Sequence, residues 1–169
     1  MNIEATLLAR NGWVPNNPRL PVLLYRAVID ATEKQAAERF ERLFAGNGWC
    51  PDWRDGVYDY HHYHSTAHEA LGVFAGNATL ELGGPGGACV DVSVGDALML
   101  PAGTGHRCLQ ASDDFRVVGA YPEGQDWDIC TDADDTAHRR IEGVPDPKKD
   151  PATGSQFPQL PDQHPPILT

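Results

Sequence analysis

Apolar residues recur along this chain in short runs that are separated by turn-forming residues. Between Cys50 and Tyr121 the runs are VYDYHHYH, EALGVF, NATLELGG, ACVDVSV, ALMLPAG, HRCLQA and FRVVGAY. Runs at this spacing are typical of antiparallel strands and predict a jelly roll or barrel. The GGPGG segment at 83–87 is expected to be a hairpin tip, because no helical pattern follows that would make it a phosphate-binding loop. Leu98–Leu100, a continuous apolar run before Pro101, is expected to be structural.

The first 46 residues add two strands and a helix to this pattern. The runs IEATLLA and LPVLLYRAV, within residues 3–28, predict strands that extend the sheets. From residue 30 the apolar period becomes that of a helix, which Asp30 or Thr32 would cap and Gly46 would end. Its apolar positions fall on one face: Ala36, Ala37, Phe40, Leu43 and Phe44. We expect this helix to pack on the outside of the barrel, since a single amphipathic helix in a β-rich chain usually covers its own sheet.

The last third of the chain is acidic after Tyr121 and then proline-rich to its end. This composition predicts a tail that lies extended over the surface or on a second subunit, without a core of its own. The 169 residues are those of one domain, which divides into N-terminal strands and helix (1–52), a barrel core (53–121) and the tail (122–169). Because open jelly-roll edges are commonly covered by another chain, we expect a homodimer.

The charge balance limits the possible partners. With 24 acidic and 13 basic residues, the net charge is -11, which repels phosphate backbones and anionic membrane surfaces. A nucleic-acid partner is therefore not expected. The N-terminal residues do not resemble a secretion signal, and no apolar run reaches the about 18 residues of a membrane span. We expect a cytoplasmic protein whose four scattered cysteines stay reduced.

Histidines and one glutamate concentrate within residues 56–76, where GVYDYHHYHSTAHEALGVFAG contains four histidines and Glu69 in nine residues. If residues 58–63 form a strand, the alternation of side chains points His62 and His64 to the same face. A short polar break then allows the chain to turn, and the apolar run that begins at Glu69 can bring its carboxylate to the same point. Two imidazoles and a carboxylate are typical ligands of a first-row transition metal.

A further histidine, His106, follows the turn-forming segment PAGTG at 101–105 and would complete a set of three histidines and one carboxylate. A single histidine on a strand is usually a packing residue, but this grouping is difficult to explain by packing and favours metal binding. Tyr58 and Tyr60 share the parity of the histidine pair and are expected either to line the cavity or to fill the barrel interior. Three tryptophans are candidates either for its rim or for the core: Trp13, Trp53 and Trp127.

These residues resemble the two sequence motifs of the cupins. The matching positions are Gly56, His62, His64, Glu69 and Gly76 in the first motif, and Gly95, Pro101, Gly103 and His106 in the second. Gln110 stands where the second motif has asparagine, a difference that concerns strand packing more than metal binding. The resemblance covers about residues 53–121, and the segments YHHYHSTAHE and GAYPEGQDWD are similar to small bacterial cupins of the YjlB type. It implies an all-β, cupin-like double-stranded β-helix, a jelly-roll barrel to which the N-terminal helix and the C-terminal tail are added.

The resemblance also implies a ligand set for one divalent transition metal, Fe, Mn, Ni, Co or Zn: His62, His64, Glu69 and His106. His68 is an alternative to Glu69, because the motif allows three or four residues after His64 and adjacent residues of a strand cannot both point inward. Glu69 is preferred, since the resemblance places a glutamate there and a carboxylate that faces a barrel interior needs a cation. His68 would then face outward or act beside the site as a general base.

Together these features predict a metal-dependent enzyme that acts on a small, oxygen-chelating organic substrate. Three neutral imidazoles and one carboxylate leave a divalent ion with a charge near +1, which favours an anionic oxygen ligand. Dioxygenase-type chemistry is the first expectation if the metal is iron, and an isomerase is a further possibility among cupins. The alternative is a non-catalytic, metal-containing protein that binds or senses a small molecule. No DNA-binding module and no substrate-specific motif separates these two functions.

Overall fold

The computed structural model describes residues 2–161, which contain nine strands and two helices. In chain order these are β1 (Asn2–Thr6), β2 (Val22–Arg26), α1 (Ala36–Gly46), β3 (Trp49–Asp55), β4 (Glu69–Ala75), β5 (Asn77–Leu82), β6 (Ala88–Ser93), β7 (Ala97–Leu100), β8 (His106–Ala111), β9 (Arg116–Pro122) and α2 (Ala137–Glu142). Within residues 2–161, no helix has the length and apolar character needed to cross a membrane. Strands are present at the predicted apolar runs, apart from the run at 57–64, which forms no strand.

The strands form two antiparallel sheets. A six-stranded sheet has the order β1-β2-β7-β4-β9-β3, and a three-stranded sheet has the order β6-β5-β8. In the larger sheet β4 lies between β7 and β9, and its first residue, Glu69, is opposite Leu100 of β7. Antiparallel sheets that pack face to face in this way are the architecture of a jelly roll. The predicted all-β, cupin-like barrel is confirmed.

The barrel interior is filled by apolar side chains that both sheets contribute. The buried members of this interior core are Val22, Leu24, Leu71, Val73, Ala78, Leu80, Leu82, Val92, Leu98, Leu100, Phe115 and Val117. Met99 packs into a second core on the outer face of the six-stranded sheet, because successive side chains of a strand point to opposite faces. Leu98, Met99 and Leu100 are all buried, as expected of a structural run. The interior core fills one part of the barrel, and the histidines lie outside it.

Helix α1 covers the outer face of the six-stranded sheet, as its apolar face predicted. Phe40 lies directly over Gly72 of β4, where a Cβ atom would come within 2.5 Å of the phenyl ring. The start of the helix differs from the expectation: it begins after Gln35, which makes no side-chain capping bond. Asp30 instead accepts hydrogen bonds from the backbone N–H and the hydroxyl of Thr32, and so stabilises the preceding turn.

The C-terminal segment does more than cover the surface. Phe157 and Ala152 belong to the outer core, and Phe157 lies against Trp49 with ring centroids 6.1 Å apart. Asp150 is fully buried and accepts a hydrogen bond of 2.6 Å from the hydroxyl of Tyr25. Because this buried carboxylate is satisfied, the segment can pack against the barrel. The expectation of a tail extended over the surface is therefore wrong for the part of the tail that contains Asp150, Ala152 and Phe157, which is packed against the barrel.

Candidate metal centre

The segment that carries the first two histidines is irregular. Residues 56–68, between β3 and β4, form no strand, so the expectation of a strand at 58–63 is wrong. Two isolated bridges hold the segment instead: one pairs His62 with His106, and the other pairs Tyr63 with Cys130. The backbone N–H of His62 donates to the carbonyl of His106 over 3.2 Å, and the reverse bond is 2.9 Å. These bridges place the first histidines beside the second motif without the alternation of a strand.

Three buried imidazoles meet at one end of the barrel. One ligand nitrogen from each of His62, His64 and His106 lies within 4.8 Å of the other two. The ring centroids of His62 and His106 are 4.1 Å apart, and His64 lies 5.6 and 5.5 Å from them. Three imidazole nitrogens this close can bind a single first-row metal ion. The structure thus brings together the histidines of both motifs.

Backbone carbonyls orient all three rings. Nδ1 of His62 bonds to the carbonyl of Tyr60 at 3.0 Å, Nδ1 of His106 to that of Thr104 at 2.9 Å, and Nδ1 of His64 to that of Asp128. A carbonyl oxygen only accepts hydrogen bonds, so each Nδ1 is the protonated donor. In the neutral ring the lone pair is then on Nε2, which is the usual arrangement of a metal-binding histidine. Burial, followed by the neighbouring His106, lowers the pKa of His62 to about 3, which keeps that ring neutral.

Glu69 adds a carboxylate to the cluster. It is 2% exposed; its Oε2 lies 3.1 Å from Nε2 of His64, and its Oε1 lies 3.3 Å from Nε2 of His106. Burial alone would raise the pKa of Glu69, but the two imidazoles outweigh it and hold that pKa well below its usual value. Oε1 has no hydrogen-bond donor among the described residues. A buried, ionised carboxylate with an unpaired oxygen is unfavourable unless a cation lies beside it, so this donor set fits a divalent metal.

His68 faces the other way. Its Nδ1 accepts a hydrogen bond of 2.9 Å from the backbone N–H of Ala102, and its ring packs 5.7 Å from that of Phe157. It is 1% exposed, does not line the cavity above the cluster, and has its pKa lowered to about 4, mainly by burial. Adjacent residues at the start of β4 point to opposite faces, and Glu69 takes the inward one. The position of His68 therefore does not support its expected role as a general base at this site.

A cavity of about 520 Å³ leads from the surface to the cluster. Trp53 and Trp127 line it, as expected of rim residues, but Trp13 packs against buried Tyr63 with ring centroids 6.1 Å apart. Tyr58 also lines the cavity, whereas Tyr60 stacks on Tyr58 and is 44% exposed. The expectation that Tyr60 would line the interior is wrong, because the irregular segment has no strand parity.

Comparison with known proteins gives a relative over almost the whole chain. The chain is 37% identical over 153 residues to the uncharacterized protein YjlB of Bacillus subtilis, an alignment that covers 89% of this chain and 90% of YjlB. The chain belongs to the YjlB family. No family model matches its sequence.

Solved structures similar to this YjlB-family protein are more distant. A DUF861 family protein of Thermotoga maritima is 21% identical, with a TM-score of 0.35, over 52% of this chain and 92% of its own. RmlC of Streptococcus suis, solved in complex with dTDP-D-xylose, is 11% identical, with a TM-score of 0.37, over 73% of this chain and 71% of its own. Likeness at this level carries no argument about the site, which has to be interpreted from its own residues.

Tyr121 and Asp128 contact two of the expected metal ligands, although neither residue was predicted from the sequence. The Tyr121 hydroxyl donates a hydrogen bond of 2.6 Å to Oε2 of Glu69 and accepts one of 2.8 Å from the indole N–H of Trp53. Asp128 supplies the carbonyl that orients His64, and its carboxylate accepts a 2.6 Å hydrogen bond from the backbone N–H of Ser65. Tyr121 and Asp128 lie within the segment GAYPEGQDWD, but nothing in that sequence indicates which metal ligand each would reach.

Proposed function

We propose that this protein is a metal-dependent enzyme that acts on a small organic molecule able to chelate a metal through oxygen. The ligands of one divalent transition ion would be His62, His64, Glu69 and His106. Dioxygenase-type chemistry is the first reaction to test when the ion is iron.

One observation carries this proposal: the three oriented imidazoles and the carboxylate lie at the base of a cavity of about 520 Å³ that opens to the surface. Four protein ligands would close a tetrahedral structural site, whereas a six-coordinate ion bound by the same four would keep two positions open to water or substrate. A small molecule in this cavity would reach the ion directly. The geometry supports an exchangeable ligand position better than it supports a structural ion.

The residues around the proposed ion have separate tasks. Tyr121 holds the Glu69 carboxylate in place, and burial and the adjacent Glu69 raise the pKa of Tyr121, so its hydroxyl stays a donor. Trp127 lies with its ring centroid 5.6 Å from that of His64 and stacks on Tyr121, so both aromatic rings restrict the access of water. Asp52 and Asp55 line the cavity and are its available proton acceptors outside the ligand set.

The ligand charges indicate which oxygen the site prefers. A divalent ion bound by three neutral imidazoles and one carboxylate keeps a charge near +1 and favours an anionic oxygen, such as that of an enolate or a phenolate. When bound, the ion would supply a Lewis acid and a template that orients the substrate. We infer that the substrate is anionic at the oxygen that reaches the ion.

Metal content is the first test. The protein is purified without oxygen, and metal per chain is measured by elemental analysis for the parent, His62→Ala and His138→Ala. His138 is an exposed histidine of α2 and controls for the number of histidines. We expect about one ion per chain in the parent and in His138→Ala, and loss of the ion in His62→Ala. Equal metal content in all three proteins would contradict the proposed site.

Turnover is the second test. Oxygen uptake by the iron-loaded protein is measured with catechols, thiols and diketones, with His62→Ala as the inactive control. Uptake that depends on one substrate class supports the dioxygenase reaction. If the isolated protein holds zinc and no substrate causes uptake, the dioxygenase proposal is wrong. Metal and ligand binding without any turnover would favour the alternative, a non-catalytic binding or sensing protein.

A further inference from the structure

Two pairs of stacked aromatic rings lead from the surface to the histidines. Trp127 stacks on Tyr121 with ring centroids 5.9 Å apart and 21° between the planes, and its edge-on contact with His64 is 5.6 Å. Tyr58 stacks on Tyr60 at 4.9 Å and 19°, and its edge-on contact with His62 is 5.3 Å. Tyr58 and Trp127 both line the cavity. A flat ring that enters the cavity would therefore meet aromatic faces.

The charged residues that line the cavity are all acidic outside the histidine cluster. They are Glu69, Asp52 and Asp55, and no lysine or arginine is among the described lining residues. Two arginines adjacent in sequence to lining residues pair with glutamates: Arg54 with Glu41, and Arg107 with Glu81. A second negative group on a ligand would find carboxylates along these walls and no side-chain cation to pair with it.

Asp52 is placed to accept a positive group. Its Oδ2 accepts a hydrogen bond of 2.7 Å from the indole N–H of Trp127, and its other oxygen makes no hydrogen bond within residues 2–161. Asp55 uses Oδ1 for the backbone N–H of Gly56 at 2.7 Å. Aromatic faces also attract cations, so the aromatic rings and the carboxylates of the cavity wall both favour a positive group on the ligand.

We propose that the cavity binds a small planar aromatic molecule that reaches the metal through adjacent oxygens and carries a positive substituent, or none, but not a second negative one. This inference rests on the proposed function, because it describes the substrate of the same site. The negative charge that the ion favours is confined to the chelating oxygens. The rest of the ligand meets aromatic rings and carboxylates.

Three matched catechols test this specificity. The zinc-loaded protein is titrated by calorimetry at neutral pH with 2-(3,4-dihydroxyphenyl)ethylamine, 4-propylcatechol and 3-(3,4-dihydroxyphenyl)propionate, whose ring substituents each begin with two methylene groups and differ in the charge of the end group. Zinc has no redox chemistry, so the titration reports binding alone. Metal analysis after each titration checks that the ion is retained. We expect the ammonium compound to bind most tightly and the carboxylate compound most weakly, with dissociation constants about tenfold apart.

Removal of the negative charges of Asp52 and Asp55 should abolish the order of the three catechol affinities. In the double variant Asp52→Asn and Asp55→Asn, we expect the three dissociation constants to converge to within about twofold. Asparagine keeps an oxygen that can accept the hydrogen bond from Trp127, and thermal unfolding checks that the fold is retained. Asp113→Asn, an exposed change in the turn between β8 and β9, is the matched control and should leave the order unchanged.

The outcomes separate the two proposals. If the protein does not hold zinc, the proposed function is wrong and this inference falls with it. If the protein holds zinc and binds none of the catechols, only this inference is wrong, because the proposed function also covers substrates that are not aromatic. If all three catechols bind and the carboxylate compound binds as tightly as the ammonium compound, only this inference is wrong. This inference is also wrong if the order of affinities is unchanged in the double asparagine variant. That result would leave the proposed function unaffected.

Discussion

Replacing Tyr121 by phenylalanine removes one hydroxyl group that joins two parts of the site. The hydroxyl donates to Oε2 of Glu69 at 2.6 Å and accepts from the indole of Trp53 at 2.8 Å. The Tyr121→Phe variant keeps the ring that stacks on Trp127, so the cavity wall stays in place. The change therefore tests whether this hydrogen bond positions Glu69 as a ligand.

Two magnitudes follow from these contacts. A hydrogen bond to a charged group contributes about 1.5–3 kcal/mol to the free energy of unfolding, and in a chain of this length that corresponds to about 3–12 °C in Tm. Loss of a group that holds a metal ligand typically weakens metal affinity by about 10- to 100-fold, or about 1.4–2.7 kcal/mol. We expect both effects in Tyr121→Phe, because Glu69 loses its hydroxyl donor and the indole of Trp53 loses its acceptor.

Tyr25→Phe is the matched control. It also removes a buried hydroxyl that donates a 2.6 Å hydrogen bond to a carboxylate, that of Asp150, but it lies in the outer core away from the histidines. We expect a similar fall in Tm with unchanged metal affinity. The assays are thermal unfolding of the metal-free proteins and competition for zinc against a chelator of known affinity.

The result that would refute the reasoning is specific. If Tyr121→Phe binds zinc as tightly as the parent while its Tm falls, the hydrogen bond does not position a metal ligand. If Tyr25→Phe loses zinc affinity to the same extent, the effect is one of global stability. Only loss of affinity confined to Tyr121→Phe supports the positioning role.

Three further predictions concern the ligand set, the core and the assembly. Glu69→Gln should lower bound metal, as measured by metal analysis, whereas His68→Ala should lower only stability, as measured by thermal unfolding. Loss of metal in His68→Ala alone would assign His68, and not Glu69, as the fourth ligand. Leu100→Ala should cost about 2–5 kcal/mol of stability with metal per folded chain unchanged, because Leu100 is buried in the interior core, and loss of metal without loss of stability would contradict this. Because β1 is an exposed edge strand, light scattering should give twice the chain mass, and a monomer mass at every concentration would exclude the homodimer.

The sequence by itself determined the architecture and the identity of the clustered histidines. Short apolar runs with intervening turns predicted the strands, because burial on a pleated sheet requires that local pattern. The spacing of the motifs brought His106 to the first pair, and the cost of an unpaired buried carboxylate favoured Glu69 over His68. The structure places Glu69 against the cluster and His68 on the opposite side.

Only the tertiary structure decided how the histidines converge. Strand alternation at 58–63 predicted that His62 and His64 face the same way, but that segment is irregular. The path of its backbone is held by bridges to His106 and Cys130. Such bridges join residues far apart in the chain, so no local periodicity records them. The same reason explains the error about Tyr60, which is exposed at the mouth.

The supporting shell of the site also depends on long-range contacts. Tyr121 reaches Glu69 across 52 positions of sequence, and Asp128 reaches His64 across 64. A tyrosine or an aspartate in a polar segment has many possible partners, and only folding selects one of them. The orientation of an imidazole depends on the carbonyl that its Nδ1 meets, and every residue type carries a backbone carbonyl, so residue identity does not show which one is used. Residue types and spacing therefore determined which groups could bind a metal, whereas their orientation was decided by the packed backbone around them.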